Sequence, residues 1–353
     1  MNILILSDGR MGHLSQSVAL AKHLGAHYEI IAVHFTCKAC KLLSYLLDRL
    51  NIYTLFLFRL NPPLVQSYDL IVSAGSSTYY ANKTLARKLG IPSVTMMLPQ
   101  SYRYDFHLMF AQVHDNPPLQ ENIIPLPANF SYVEPKGLFT PQKKSIGIII
   151  GGNNALFVMD KERLKTQLDF IFQTFQGYEI AVTTSPRTSK EIEELLLSYP
   201  FSYSVIFSQN KINPIADFLA HCEVVFITID STSMISEAIS YGTSSVEILP
   251  LSDIKKNKFF TMAQNLEKEG YLHLFNGTLA HSNRKIDFKQ YAQKVKAMKI
   301  VQLIPELNEG GVERGVVELS RELVKLGFES VVISNGGKLI AQLEHDGALH
   351  VKL

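Results

Sequence analysis

The stretch from Val224 to Pro250, VVFITIDSTSMISEAISYGTSSVEILP, restricts this chain to few folds. Val224-Val225-Phe226-Ile227 is a β-branched and aromatic run long enough for one buried parallel strand. Asp230-Ser231-Thr232-Ser233 follows as a polar turn of helix-capping residues, and Met234–Ile239 has a helical pattern closed by Gly242 at a C′ position. Val246–Leu249 supplies a second apolar run that stops at Pro250. The unit is therefore strand, turn, helix, strand, and the turn lies at the carboxyl end of a strand, where open α/β sheets bind ligands. Backbone N–H groups at the helix start favour a phosphate, and Glu237, one turn in, is able to accept hydrogen bonds from a ribose. The alternative is an ordinary βαβ unit whose serines only cap a helix.

The same alternation runs through the chain. Ile3–Leu6, the loop Ser7–His13, a helix Ser15–Leu24 and a strand Glu29–His34 open it. The loop carries Asp8, Gly9, Arg10, Gly12 and His13 between a strand and a helix. It is not GxGxxG, so a dinucleotide fingerprint is not supported. Arg10 and His13 are placed to meet an anion, and His13 is a candidate base. Asp69–Ser73, a helix to about Leu89, Ile91–Thr95 and His107–Phe110 continue the pattern. Pro125–Lys144, rich in proline and polar residues, reads as an interdomain linker. The pattern then restarts with Ser145–Ile150, followed by Gly151-Gly152-Asn153-Asn154 and a helix over about 160–176. Glu179–Thr183 leads into the turn Thr184-Ser185-Pro186-Arg187-Thr188, whose guanidinium is positioned to reach a phosphate at the Asp230–Ser233 turn. A surface turn with a solvated arginine is the other reading. From Met298 a third strand–Gly–helix–strand begins, ending too soon for a closed core.

At 353 residues, two domains and a remainder are expected. A formal net charge of +2 with 19% charged residues gives no reason to expect a nucleic-acid partner. Three cysteines make no disulfide framework, so the default setting is a reducing cytoplasm. Cys37-x-x-Cys40 has no second pair and is read as structural rather than as a zinc or redox site. No run of 18 apolar residues marks a membrane span. In Lys41–Leu64 charges recur among large apolar residues, which fits either a helix lying on a membrane surface or a core helix followed by a strand. No Asp-x-Asp pair occurs, so a diphosphate would be held by amides, hydroxyls and arginine, without a metal ion and with no cofactor besides the substrate nucleotide.

Ser7-Asp8-Gly9-Arg10-Met11-Gly12-His13 with Gln16, Ser73-Ala74-Gly75, His114-Asp115, Gly151-Gly152, Thr183-Thr184-Ser185-x-Arg187-Thr188, Asn213-Pro214 and Thr228-x-Asp230-Ser231-x-Ser233-Met234-x-Ser236-Glu237-Ala238 together resemble the bacterial and plant family of mitochondrial-fission-protein-like glycosyltransferases, over residues 1 to about 290. The resemblance implies an α/β fold of the GT-B type, with two Rossmann-type doubly wound parallel-sheet domains. These would be an acceptor domain over 1–140 and a nucleotide-sugar domain over 141–296, with a partial βαβ segment over 297–353. It further implies sugar transfer from a nucleotide-sugar donor to a cell-envelope glycan or lipid-linked acceptor, in the cytoplasm or on the inner face of its membrane. A nucleotide-sugar epimerase and a non-catalytic scaffold are the alternative functions. By motif position Glu237 would bind the donor ribose, and Gly151, Gly152, Ser231 and Ser233 its diphosphate, with Thr184, Ser185, Arg187 and Asp230 beside them. Asp8 and His13 would act on the acceptor next to Gly9, Arg10 and Gly12. Gly242-Thr243 departs from the related Gly-x-Pro. The tail from Met298, with Gly310-Gly311-Val312-Glu313, is similar to the start of a retaining transferase of the kind that builds lipopolysaccharide, and is expected to be inert by itself.

Overall fold

The computed structural model describes residues 1–64, 67–253, 258–295, 299–325 and 328–353. The chain divides into two compact units, Met1–Phe288 and Lys289–Leu353. The first half of the larger unit runs β1 (Asn2–Ser7), α1 (Met11–His23), β2 (His27–Phe35), α2 (Lys38–Arg49), β3 (Phe58–Asn61), β4 (Leu70–Ser73), α3 (Tyr79–Leu89), β5 (Ser93–Thr95), β6 (Leu108–Gln112) and β7 (Ile123–Leu126). Its seven strands lie in the order β3-β2-β1-β4-β5-β6-β7. All pairings are parallel except that of edge strand β3 with β2.

The second half adds β8 (Ser145–Ile150), β9 (Phe157–Val158), α4 (Lys161–Thr174), β10 (Glu179–Thr184), α5 (Lys190–Leu197), β11 (Tyr203–Val205), α6 (Ile215–His221), β12 (Val224–Thr228), α7 (Thr232–Ala238), β13 (Ser245–Leu249), β14 (Ser252–Asp253), α8 (Lys258–Lys268) and β15 (His273–Leu274), and the boundary between the units falls at the first residue of α9 (Phe288–Gln293). Its main sheet is ordered β11-β10-β8-β12-β13-β15, and β14 pairs with β9 in a small antiparallel ribbon. Numbered by the chain order of its own strands alone, each main sheet begins 3-2-1-4-5, the doubly wound order. The smaller unit consists of β16 (Lys299–Leu303), α10 (Gly311–Lys325), β17 (Glu329–Ser334), α11 (Ile340–His345) and β18 (Leu349–Lys352), with the three strands parallel.

The central strands read as unbroken apolar runs because helices cover both faces. Ile3 to Ile5, Ile148 to Ile150 and Val225 to Ile227 are fully buried. Asp160 and Ser189 accept hydrogen bonds from Arg163 and Ile192 and thereby cap α4 and α5. Gly90 ends α3 in the left-handed conformation.

Four expectations change. Helix α1 starts at Met11 rather than Ser15, so Gly12 and His13 sit in its first turn and the loop shrinks to Asp8–Arg10. The segment read as a linker ends β7 and does join the two halves, but along a packed course, with Ala128, Phe130 and Ser131 buried. Its proline and polar content reflects irregular but ordered backbone. Cys37 and Cys40 form a disulfide, since the first turn of α2 brings their Cα atoms to 5.1 Å. The Lys41–Leu64 stretch is α2, a 3-10 turn and edge strand β3, with Leu57 and Phe58 buried while Leu42, Leu46, Leu50 and Phe56 stand outward. Expectations for Met298, Leu326 and Gly327 lie outside the described residues.

Candidate functional site

In each main sheet the strand order reverses between two neighbours, β1 and β4 in the first, β8 and β12 in the second. Loops leaving the carboxyl ends of such a pair part in opposite directions and leave a crevice. The residues singled out in the sequence gather at these two crevices.

At the first, Asp8 follows β1 and its carboxylate meets Nδ1 of His13 at 3.0 Å. The Asp8 side chain is 7% exposed and that of His13 20% exposed, so the pair is sheltered yet reachable. Asp8 also accepts the Arg10 amide, which folds the short loop back on itself. Gly75, after β4, lies directly beneath: its φ is +93°, and a β-carbon there would stand 2.4 Å from His13 Nδ1. Gly9 has a φ of +82°, whereas a β-carbon on Gly12 would meet open space. Arg10 is exposed and precedes α1. A carboxylate on one imidazole nitrogen fixes ring and tautomer and leaves the other nitrogen to exchange a proton. The sequence reading named Asp8 and His13 but gave no task to Gly75, or to Lys41, whose ammonium reaches Ser76 Oγ at 3.0 Å and Ser77 Oγ at 3.3 Å on the same loop. Gly75 carried a signal, being a glycine directly after a strand. The reach of Lys41 from another helix carried none.

At the second crevice Asp230 is the organiser. Its side chain is fully buried and receives Thr228 Oγ1 at 2.7 Å, the Gly152 amide at 3.0 Å and the Arg187 guanidinium at 2.7 Å. Burial pushes its carboxyl above the usual range, and these donors pull it back. The Gly151 amide goes to Thr228 Oγ1 at 2.7 Å. Both glycine amides are thus committed to internal acceptors, not free for a diphosphate as expected. Their task here is close approach. A β-carbon on Gly151 would fall 2.2 Å from the Asp230 carboxylate, and one on Gly152 would fall 2.0 Å from the Arg187 carbonyl. Thr184 and Ser185 are buried in the same fabric: Thr184 Oγ1 accepts the Phe207 amide, and Ser185 Oγ accepts the Arg187 amide. Ser231 caps α7 by accepting from Met234, the plainer of the two roles considered. Arg187, 40% exposed, still presents charge to solvent.

Glu237 sits on α7 and, with Ser233 and Ser236, faces Ser15 and Gln16 of α1 and the segment 129–132 across a cavity of about 50 Å³. Its carboxylate accepts no hydrogen bond among the described residues, and burial pushes it up to about 7. Asn129 and Ser131 bind α7 directly, through Ser236 Oγ, Thr232 Oγ1 and the Ser236 carbonyl. Lys285 closes the far end of α7 on the Ala238 carbonyl at 2.7 Å, and burial lowers its ammonium to about 8.

His114 and Asp115 do not pair. Asp115 binds Lys258, and the His114 ring meets the edge of Phe259. Among the described residues no three His, Cys, Asp or Glu side chains group closely enough to hold a metal ion.

Residues 11–298 match the sequence model of a family described as "Mitochondrial fission ELM1". A relative from Rickettsia prowazekii (strain Madrid E), named "Uncharacterized protein RP120", is 23% identical over 364 residues, covering 88% of this chain and all of that protein. Among solved structures, Acinetobacter baumannii MurG aligns with a TM-score of 0.42 at 13% identity, covering 79% of this chain and 87% of its own. A Staphylococcus aureus MnaA–UDP structure aligns with a TM-score of 0.43 at 11% identity, covering 84% and 95%.

Proposed function

This chain belongs to the Mitochondrial fission ELM1 family, and we propose that it is a glycosyltransferase that moves a sugar from a nucleotide-sugar donor to a cell-envelope glycan or lipid-linked acceptor without a metal ion. The observation that carries the reading is the pair of crevices: an oriented carboxylate–imidazole pair at the switch point of one doubly wound sheet, and an arginine with an unpartnered glutamate at that of the other. In this reading His13, held by Asp8, takes the proton from the acceptor hydroxyl as the new glycosidic bond forms. Glu237 accepts the donor's ribose hydroxyls, and Arg187, fixed by Asp230, faces the leaving diphosphate. Because the Glu237 carboxylate has no hydrogen-bond partner among the described residues, ribose hydroxyls would satisfy it. The cavity at Glu237, about 50 Å³, is far below the roughly 300–1,000 Å³ of small-molecule pockets, so it accounts for only a part of the donor.

Titration calorimetry with UDP-, GDP- and CMP-sugars tests the donor half. Micromolar to millimolar binding of one nucleotide class by the native chain, lost by at least about tenfold in Glu237→Ala, is the expected outcome. Absence of binding across all three, or an unchanged Glu237→Ala, removes the assignment. With donor bound, His13→Ala is expected to lower turnover by about 10²-fold or more while leaving donor affinity alone. Activity that persists in excess chelator supports the metal-free chemistry, and loss of it refutes that part.

A further inference from the structure

Helix α2 sets Tyr45 and Leu47 against the core yet leaves a row of leucines outside. Its fully buried side chains are Ser44 and Asp48, while Leu42, Leu46 and Leu50 stand 70%, 54% and 59% exposed at a spacing of four. The turn that follows adds Ile52 at 49% and Phe56 at 89%. A soluble helix places its apolar stripe on the core, and contiguous apolar surface of this kind marks an interaction site.

The inner face explains why those leucines stay out. Asp48 is locked at 2.7 Å to the buried Lys83 of α3, and it also accepts the Arg103 amide and the Tyr53 hydroxyl. Ser44 meets the Tyr102 hydroxyl at 2.9 Å. Rotating α2 to bury its leucines would strip the Lys83 ammonium, 1% exposed, of its Asp48 partner. The outward leucines are therefore held out by a buried ion pair.

Charge selects the occupant. Asp48 is the sole acid from Thr36 to Leu64 and it is buried, so this segment presents no negative charge of its own, and Asp105 beside Asn51 is paired with Arg87 and Arg103. Lys38, Arg49 and Arg59 are exposed around the leucines. Apolar side chains ringed by arginine and lysine fit the boundary between acyl chains and anionic headgroups. We propose that α2 and the turn through Phe56 seat this protein on an anionic bilayer surface. Lys41 ties the start of α2 to Ser76 and Ser77, next to Gly75 under His13, so a seated helix brings the first crevice to the lipid. That last clause rests on the glycosyl-transfer reading and narrows its acceptor to a lipid-linked one; the docking itself does not depend on it.

The test uses the full chain without nucleotide, mixed with vesicles of phosphatidylcholine alone or with about 30% phosphatidylglycerol. The chain is expected to sediment with the anionic vesicles several-fold more strongly than with the neutral ones. Leu42→Ser/Leu46→Ser/Phe56→Ser should weaken that partition by about tenfold or more, and Lys38→Glu/Arg49→Glu/Arg59→Glu should abolish the preference for anionic lipid. The sequence contains no tryptophan, so Phe56→Trp is a unique reporter. Its emission should shift to the blue on anionic vesicles, while Leu119→Trp, at another fully exposed site, should not shift. If the serine variant fails to fold, the tryptophan pair decides. No sedimentation, unaltered partition of a folded serine variant, or equal shifts at both tryptophans overturns the proposal. A concentration-dependent dimer that buries Phe56→Trp in the absence of vesicles also overturns it and assigns the face to a second copy. Because no nucleotide is present, failure here leaves the donor-binding result standing, and failure there leaves this one.

Discussion

Two sheltered carboxylates, Asp230 just before α7 and Glu237 within it, serve opposite ends. Asp230 has both carboxylate oxygens engaged, and its loss would strand the Gly152 amide, the Thr228 hydroxyl and the Arg187 charge together. Asp230→Ala is expected to cost about 3 kcal/mol in urea unfolding. Arg187→Ala, removing a partner that is 40% exposed, should cost only about 1 kcal/mol. Glu237 has no such donors. Its folded value of about 7 stands above that of an unfolded glutamate, so between pH 4.5 and 7 the native state holds the proton more tightly. Stability therefore falls as pH rises through that window and stays low above it. Glu237→Gln should raise stability at pH 8 by up to about 3 kcal/mol and leave it nearly unchanged at pH 4.5. Equal gains at both pH values would show that burial of charge is not the cause. A variant more stable at pH 8 yet deficient in nucleotide binding is the pattern of a group kept for function.

Among elements, the loops at the strand ends carry the sharpest contrast. Gly75→Ala puts a β-carbon into the His13 ring at a φ that side chains rarely adopt, whereas Gly12→Ala fills open space in the first turn of α1. Turnover should drop by about tenfold or more in Gly75→Ala, with donor affinity kept, and Gly12→Ala should be near neutral. Assays showing the two alike would remove Gly75 from the site. Strands such as Ser145–Ile150 and Val224–Thr228, and helices with side-chain caps such as α4 and α5, were legible because burial on both faces and capping chemistry leave marks in a single segment. The start of α1 was not, because Arg10 caps nothing with its side chain and Gly12 disguises the first turn as loop. The glycines at 151 and 152 were visible as a ligand-loop pattern, yet their amides turned to Thr228 and Asp230. Such partners lie some 77 residues away and leave no local signature. The outward apolar face of α2 was likewise ambiguous until Lys83 fixed which side of the helix faces in.

At the scale of the molecule, the two main sheets share one compact unit, tied by bonds from 129–137 to α7 and to Asp217 at the start of α6. They are expected to unfold together, so far-ultraviolet circular dichroism and the near-ultraviolet tyrosine signal should trace one urea transition. Two separated midpoints would show that the ties are weaker than drawn. The three parallel strands of the unit from Lys289 form a sheet of their own, and the residues of both crevices belong to the larger unit. A chain ending at residue 298, where the family match also ends, should bind nucleotide within about twofold of the full chain. A larger loss would give the tail a part in the site.

The segment 129–132 joins the two sheets, binds α7 through Asn129 and Ser131, and lines one wall of the Glu237 cavity. Connector and pocket wall are thus one piece of chain, so the halves are not interchangeable cassettes. A chimera made from two relatives and spliced after Leu126 would keep 129–132 matched to its own α7, with only Ser15 and Gln16 of α1 foreign to the pocket. One spliced near Lys144 would pair an α7 with a foreign wall, and the pocket would be the first thing to fail. Recombination in nature or at the bench should leave working hybrids only where the crossover falls on the amino-terminal side of this segment.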